Sequence, residues 1–221
     1  MRKLILLNYK LAFPWGGSCV LSTQKMAKYH QSLKTWHIPL WEDQISLREA
    51  YDSLMSIGNA PADVPLMIKL AENPEFEMGG MGFFKGRVTL EQHDYIHIVL
   101  GRGLQLIDEA FTIGFTMGST NRVSTFEKKL FSFLAGKVYP KPYRFTKKGT
   151  QVFKDATHLG YVSDCQPLDI FDFKPHLDKT LEEVRRILNL ETSLLNSYYQ
   201  IEAKRYPKVR ASQRNHVPAL H

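Results

Sequence analysis

The chain has 221 residues, 43% of them hydrophobic, and lacks any run of about 18 uncharged apolar residues, which argues against a membrane-spanning helix. This length is sufficient for one domain, or two small ones, with a hydrophobic core. The two cysteines, Cys19 and Cys165, lie far apart and in no Cys-x-x-Cys pattern, so neither a disulfide framework nor a thiolate zinc site is indicated, and a reducing compartment is expected.

The net charge of +7 is unevenly distributed. Residues 1–41 carry six Lys or Arg and no acid, residues 204–221 carry five and no acid, and the segment between them holds 18 basic and 22 acidic residues. The basic ends are either solvated tails or surfaces that attract anionic lipid headgroups or an acidic partner. Nucleic acid is not an expected partner, because no binding signature for it occurs and the body is slightly acidic.

Helix signals recur through the first part of the chain. Residues 21–36 are predicted to be helical, the capping box at 46–49 starts a second helix that Gly58 stops, and residues 63–71 form a third. The glycine-rich segment 78–86 lacks the Gly-Lys-Ser/Thr ending of a phosphate-binding loop. It is either a connector or a lid over an apolar ligand.

The strongest signal lies in residues 89–97. Thr89 and Gln92 predict a capping box that starts a helix. On that helix His93, Asp94 and His97 fall within roughly a 100° sector of one face. One such histidine would usually be an ordinary core or surface residue, but two imidazoles and a carboxylate at this spacing can reach one cation.

A fourth ligand requires the chain to reverse. Glu109 would lie about 18 Å beyond His97 on a straight helix. The sequence Gly101-Arg102-Gly103 predicts that the first helix is capped there and that a second helix returns antiparallel from about Leu104. We therefore expect a helical hairpin that gathers His93, Asp94, His97 and Glu109 around a divalent metal ion.

The second helix, predicted over residues 104–117, is apolar on most sides, which is typical of a buried helix. Its threonines are expected either to hydrogen-bond the metal ligands or to bond back to the carbonyl of residue i−4. Phe111 and Phe115 are either core residues or, with Thr112, part of a slot for a lipid substrate. A polar seam follows three- or four-residue spacing: Gln105, Glu109, Thr112 and Thr116.

Capping boxes and helix stops continue to the end of the chain, with no internal repeat and no alternating strand pattern. The fold class predicted is all-α: a single multi-helix domain over 1–221, with 1–20 and 206–221 peripheral or flexible. Further helices are predicted over 124–134, 146–159, 181–188 and 191–205.

The motif His93-Asp94-x-x-His97, with eleven residues before Glu109, resembles the metal motif of the coenzyme Q (ubiquinone) biosynthesis protein four family. Residues 168–173 and 181–188 are also similar to the closing segment of that family. The resemblance extends from about residue 45 to residue 190, and its specificity lies almost wholly in the metal motif.

The resemblance implies an all-helical, membrane-associated protein with a divalent metal, commonly zinc, held by His93, Asp94, His97 and Glu109. It implies that the protein binds a polyprenyl quinone precursor or another prenyl lipid, organises other quinone-biosynthesis proteins, and acts at ring carbon one in oxidative decarboxylation. The expected location is peripheral to the cytoplasmic side of the inner membrane in a bacterium, or to the matrix side of the mitochondrial inner membrane in a eukaryote. A second copy of the chain, forming a homodimer, is a further expected partner.

An HD-type metal-dependent phosphohydrolase is one alternative, since it is also all-helical and uses adjacent His and Asp. It would recruit further ligands from His30 or His37 and from Asp155 or Asp164, and His97 and Glu109 would then have no role.

Two more alternatives remain. A zinc protease is disfavoured, because Asp94 follows the first histidine and the general base of His-Glu-x-x-His is missing. The third is a non-catalytic prenyl-lipid-binding scaffold in which the metal only holds the helices together.

Overall fold

The computed structural model describes residues 35–57, 89–120 and 145–215. Within these ranges no strand occurs, and Ser46 and Thr180 form an isolated β-bridge. The predicted all-α fold class is confirmed. The helices are α1 (Leu47–Met55), α2 (Leu90–Leu100), α3 (Leu106–Ser119), α4 (Lys147–Val162), α5 (Leu181–Ile187), α6 (Thr192–Arg205) and α7 (Arg210–Gln213), with a short 3-10 helix at Lys174–His176.

Several helices begin where the sequence predicts. Ser46 caps α1 in a reciprocal capping box: its hydroxyl accepts from the Glu49 amide at 3.1 Å, and the Glu49 carboxylate accepts from the Ser46 amide at 2.9 Å. Thr180 and Glu183 form the same arrangement at the start of α5. These local signals need no distant partner, because each satisfies amide donors left unpaired in a first helical turn.

Helix α4 differs from its prediction at the C-terminal end. It continues through Gly160 to Val162, where the sequence predicts an end at Leu159. Gly160 serves close packing instead, since a Cβ there would lie 2.3 Å from the carbonyl oxygen of Phe115 and 2.9 Å from the amide of Ser119. The missing side chain thus lets the backbones of α3 and α4 touch.

Arg185 is buried, although its position near the end of α5 suggests a solvated cation that balances the helix dipole. Its Nη1 donates to the carbonyl of Leu40 at 2.8 Å and its Nε donates to the carbonyl of Val99 at 3.0 Å. Burial lowers its pKa to about 10. Arg185 therefore links three segments that are distant in sequence.

Residues 209–215 also differ from the loose tail that the sequence predicts after Pro207. Ala211 and Asn215 are buried, and Asn215 Nδ2 donates to the carbonyl of Gly101 at 2.7 Å. Arg214 Nη1 donates to Asp108 Oδ2 at 3.0 Å. This end of the chain is ordered because it pairs with polar groups at the turn between α2 and α3.

Three predicted helices and the glycine-rich segment 78–86 lie outside the described residues. The three helices are those predicted over 21–36, of which only residues 35 and 36 are described, over 63–71 and over 124–134. The single domain over 1–221 accordingly stays a prediction. In the described ranges, every helix is too short or too polar to cross a bilayer.

Replacement of Gly160 by Ala is expected to destabilise the protein by about 1–3 kcal/mol, because the new methyl group must push α3 and α4 apart. Gly149→Ala in the same helix is the matched control: its Cβ would meet its nearest neighbour at an ordinary 3.5 Å. That variant should lose no stability, because alanine favours a helix over glycine by up to about 1 kcal/mol. Urea unfolding followed by circular dichroism measures both, and equal midpoints for the two variants would contradict the close-packing interpretation.

Candidate metal centre

Helix α2 is fixed at its start by two different contacts. Thr89 is the N-cap, and its hydroxyl accepts from the amide of Gln92 at 3.2 Å, as predicted. The Gln92 side chain, which a capping box would turn back toward Thr89, instead reaches across to residues 168–171. Its Nε2 donates to the carbonyls of Leu168 at 3.0 Å and of Asp169 at 2.9 Å. The ligand-bearing helix is thereby attached to the segment before α5.

The predicted chain reversal is present. Gly101 adopts the left-handed conformation, with φ +69°, and ends α2. Its amide donates to the carbonyl of Ile98 at 3.1 Å, and the amide of Arg102 donates to the carbonyl of His97 at 2.9 Å, which together make a Schellman motif. Gly103 has another role: a Cβ there would lie 2.6 Å from the backbone carbonyl oxygen of Trp36 and 1.9 Å from Nη1 of Arg214, so a side chain does not fit without movement of the backbone.

Helix α3 begins at Leu106, two residues beyond the predicted start. Gln105 is its N-cap, and the Gln105 amide donates to Asp108 Oδ2 at 3.1 Å. The Asp108 carboxylate also lies 3.7 Å from Nη1 of Arg102 and 3.0 Å from Nη1 of Arg214. The buried carboxylate of Asp108 thus accepts from a backbone amide at the start of α3 and balances the positive charges of two guanidinium groups.

Arg102, in the middle of the turn, is only 2% exposed. Its guanidinium donates to both Glu202 oxygens, at 2.6 and 3.2 Å, and lies between the rings of Phe111 and Tyr199. Burial alone would lower its pKa, but Glu202 and Asp108 raise the pKa above its ordinary value. Tyr199 also donates its hydroxyl to the carbonyl of Leu100 at 2.6 Å. No local sequence pattern predicts the pair of Arg102 with Glu202, because these two residues are 100 positions apart in the chain.

The hairpin brings His93, His97 and Glu109 together, as predicted. His93 Nε2 lies 3.4 Å from Glu109 Oε2, and His97 Nε2 lies 3.4 Å from Glu109 Oε1. One ligand atom from each residue lies within 4.8 Å of the others. The three residues are 3%, 0% and 2% exposed, so water cannot solvate their polar atoms freely.

The polar atoms of this group have few other partners. Both nitrogens of His93, Nε2 of His97 and Oε2 of Glu109 are buried and have no hydrogen-bond partner in the described part of the chain. The 3.4 Å separations exceed the roughly 2.7–2.9 Å of a charge-assisted hydrogen bond. They join the two histidines to different oxygens of Glu109, so the carboxylate lies between the two imidazoles. The group could therefore hold a metal ion.

The electrostatics favour the metal-binding form of Glu109 and of His93, whereas His97 would have to release a proton to bind a cation. Burial would raise the pKa of Glu109, but His97 and His93 outweigh it and hold that pKa far below its ordinary value. Burial lowers the pKa of His93, whereas for His97 the lowering by burial is outweighed by Glu109 and the pKa is raised. An ionised carboxylate and neutral imidazole nitrogens are the forms that bind a cation.

Thr112 and Thr116 differ in their contacts: one contacts a predicted metal ligand, and the other bonds to the carbonyl of residue i−4. Thr112 Oγ1 lies 3.3 Å from Nδ1 of His97. With a metal ion on Nε2 of His97, Nδ1 would carry the proton and donate to the Thr112 hydroxyl. Thr116 instead donates to the carbonyl of Thr112 at 2.8 Å, the local i−4 bond.

The remaining predicted site residues lie nearby in different roles. Asp94 is buried, which raises its pKa to about 7, and it is not part of the group that converges within 4.8 Å. Its role as a ligand stays a prediction. Phe111 and Phe115 are fully buried, and Phe111 packs against Phe115 and two tyrosine rings of α6. These contacts agree with a core role, and substrate binding by these phenylalanines and Thr112 stays a prediction.

The described residues define an all-helical protein in which one helical hairpin carries a buried His-His-Glu group. Comparison of the chain with models of protein families, with curated proteins and with solved structures finds no match. The resemblance to the ubiquinone biosynthesis family consequently rests on the motif residues themselves.

Replacement of Arg102 by Met should destabilise the protein by about 3–5 kcal/mol, because it leaves the buried carboxylates of Glu202 and Asp108 without their shared cation. Arg48→Met is the matched control, since Arg48 pairs with Asp178 in solvent, where an ion pair contributes little. Chemical unfolding of both variants tests this. A loss for Arg102→Met no larger than that for Arg48→Met would contradict the role of the buried pair.

Proposed function

We propose that the protein binds a divalent metal ion, zinc in the first instance, through His93, His97 and Glu109. We further propose that it takes a polyprenylated quinone precursor as its ligand and acts in the oxidative decarboxylation at ring carbon one, as a scaffold for the biosynthetic enzymes, or both. The convergence of three buried side chains, each with at least one polar atom that has no hydrogen-bond partner among the described residues, supports the metal site. The motif resemblance supports the substrate and the reaction.

The donor set suits this proposal chemically. Imidazole nitrogens with a carboxylate oxygen bind zinc and other first-row divalent metals. Three protein ligands leave a coordination position open for substrate or water, which is the pattern of catalytic rather than closed structural zinc sites. Asp94 is proposed as a further ligand or as a close neighbour of the site.

When bound, the metal ion would act as a Lewis acid that polarises the oxygen substituents of a phenolic ring. The chain's own residues prepare the site for this. Glu109 supplies a negative charge, His93 and His97 present their Nε2 atoms toward it, and Thr112 orients His97 through Nδ1. The low exposure of all four side chains excludes water, which strengthens electrostatic interactions with a bound substrate.

The HD-type phosphohydrolase fits the geometry less well. Its motif would leave His97 and Glu109 unused, yet both belong to the converging group. His37 contacts the carbonyl of Thr35, and Asp155 pairs with Arg205. His30 lies outside the described residues. The non-catalytic scaffold is the second candidate, because the same group links α2 to α3 and a metal there would join them.

Purified wild-type protein is expected to contain stoichiometric metal by elemental analysis, and His97→Ala should abolish this loading because it removes one of three donors. His158→Ala is the matched control, since His158 is exposed on α4 outside the group. Stoichiometric metal in a folded His97→Ala variant would count against the site.

Thr112→Val should weaken metal binding by about 10- to 100-fold, because it removes the acceptor that orients His97. Thr112→Ser should restore affinity, since it keeps the hydroxyl. Thr116→Val is the control: its hydroxyl bonds only to a backbone carbonyl among the described contacts. Competition against a chromogenic chelator gives the affinities, and the idea fails if Thr112→Val and Thr116→Val bind metal equally.

The substrate class is tested by mass spectrometry of lipids extracted from the purified protein, followed by turnover of a polyprenylated hydroxybenzoate carrying a ring carbon one carboxyl group. Retained prenyl lipid and metal-dependent replacement of that carboxyl group by a hydroxyl group, with dioxygen as the oxidant and release of carbon dioxide, support the enzyme. Retained lipid with no turnover supports the scaffold. Metal-dependent nucleotide hydrolysis without bound lipid would replace the proposal with the phosphohydrolase.

A further inference from the structure

A cavity lies where the segment before α1, the start of α3 and the residues around α7 meet, apart from the candidate metal centre. Its volume is about 620 Å³, within the range of small-molecule sites. None of the residues that line it belongs to the metal-binding group. Its polar lining includes His37, Gln105, Lys208, Arg210, Gln213 and Arg214.

The cavity is strongly cationic. Lys208, Arg210 and Arg214 line it, and no acidic residue does among the described ranges of the chain. Arg214 is paired with Asp108, which also lies near Arg102. Lys208 and Arg210 are exposed and have no ion-pair partner among the described residues. The cavity therefore carries excess positive charge, in keeping with the acid-free composition of residues 204–221.

One of these cations is held in place before any ligand arrives. The Arg214 side chain is 10% exposed, and its Nη1 donates to Asp108 Oδ2 at 3.0 Å. It passes over Gly103, where any side chain would collide with it. A fixed guanidinium within the cavity, with two exposed cations beside it, is a preorganised arrangement for an anion.

We propose that this cavity binds a phosphate group, either of a soluble phosphorylated small molecule or of a phospholipid headgroup. Guanidinium groups match phosphate oxygens in charge and in hydrogen-bond geometry, and a lysine adds a point charge. The volume leaves room for a substituent attached to the phosphate. This site is independent of the proposed metal centre, and its test requires no metal.

Binding of inorganic phosphate and of glycerol 3-phosphate to the full chain is measured by calorimetry. Co-sedimentation with phosphatidylcholine vesicles, with and without phosphatidic acid, tests the headgroup. The test variant is Lys208→Glu with Arg210→Glu. The matched control is Lys154→Glu with Lys204→Glu, which makes the same change in net charge at exposed positions outside the cavity. Circular dichroism shows that both variants are folded.

The cavity variant should bind about tenfold more weakly or worse, since each lost charged hydrogen bond costs about that factor, while the control should bind as the wild type does. This pattern with the soluble probes identifies a free phosphate ligand, and the same pattern with phosphatidic acid vesicles alone identifies a headgroup. Equal losses in both variants, an unaffected cavity variant, or no binding of any probe by the wild type would overturn the proposal.

Discussion

The reversal of the chain between α2 and α3 is the constraint on which the rest of the structure depends. A straight continuation would carry Glu109 about 18 Å past His97, whereas the Schellman turn at Gly101 brings its carboxylate within 3.4 Å of both histidines. The turn leaves backbone carbonyls at Leu100 and Gly101 that need partners, and Tyr199 and Asn215 donate to them from 99 and 114 residues away. The C-terminal part of the chain therefore supports the geometry of the candidate metal centre without contacting it in the described hydrogen bonds.

Two adjacent carboxylates on α3 have different partners: one belongs to the candidate metal centre, and the other pairs with the arginines that hold the turn. Neighbouring residues on a helix point about 100° apart, so Asp108 and Glu109 serve different groups. Asp108 compensates the guanidinium groups of Arg102 and Arg214. Glu109 faces only the two histidines among its described ion pairs. Because Asp108 and Glu202 balance the cations of the turn, the negative charge of Glu109 stays available to a metal ion.

The parts of the fold that the sequence predicts are those encoded by residues close together in the chain. The caps at Ser46, Thr89 and Thr180, the histidine spacing and the glycine at the reversal all act within a few residues, so their patterns are readable without a structure. Other features depend on partners far along the chain. These are the burial of Arg102 and Arg185, the continuation of α4 through Gly160 and the ordering of residues 209–215. No local pattern indicates those partners, and charge alone suggests that both arginines are solvated. The sequence allows Thr112 to contact either His97 or the backbone of its own helix, and only the position of the reversed helix decides between these two contacts.

The same contacts bear on whether a metal ion at this site has a structural or a chemical role. Structural metal ions are most needed where a small or poorly packed region cannot hold its segments together. Here α2 and α3 are already joined by the Schellman turn, and the turn is held by the buried pair of Arg102 with Glu202 and by the hydrogen bonds of Tyr199 and Asn215. A metal ion would add little to that attachment. Most of the buried polar atoms of His93, His97 and Glu109 have no hydrogen-bond partner among the residues that the structure describes, and their desolvation costs stability unless a cation or a substrate offsets it. Natural proteins retain such a cost chiefly at functional sites, so this group favours binding chemistry over a purely structural link.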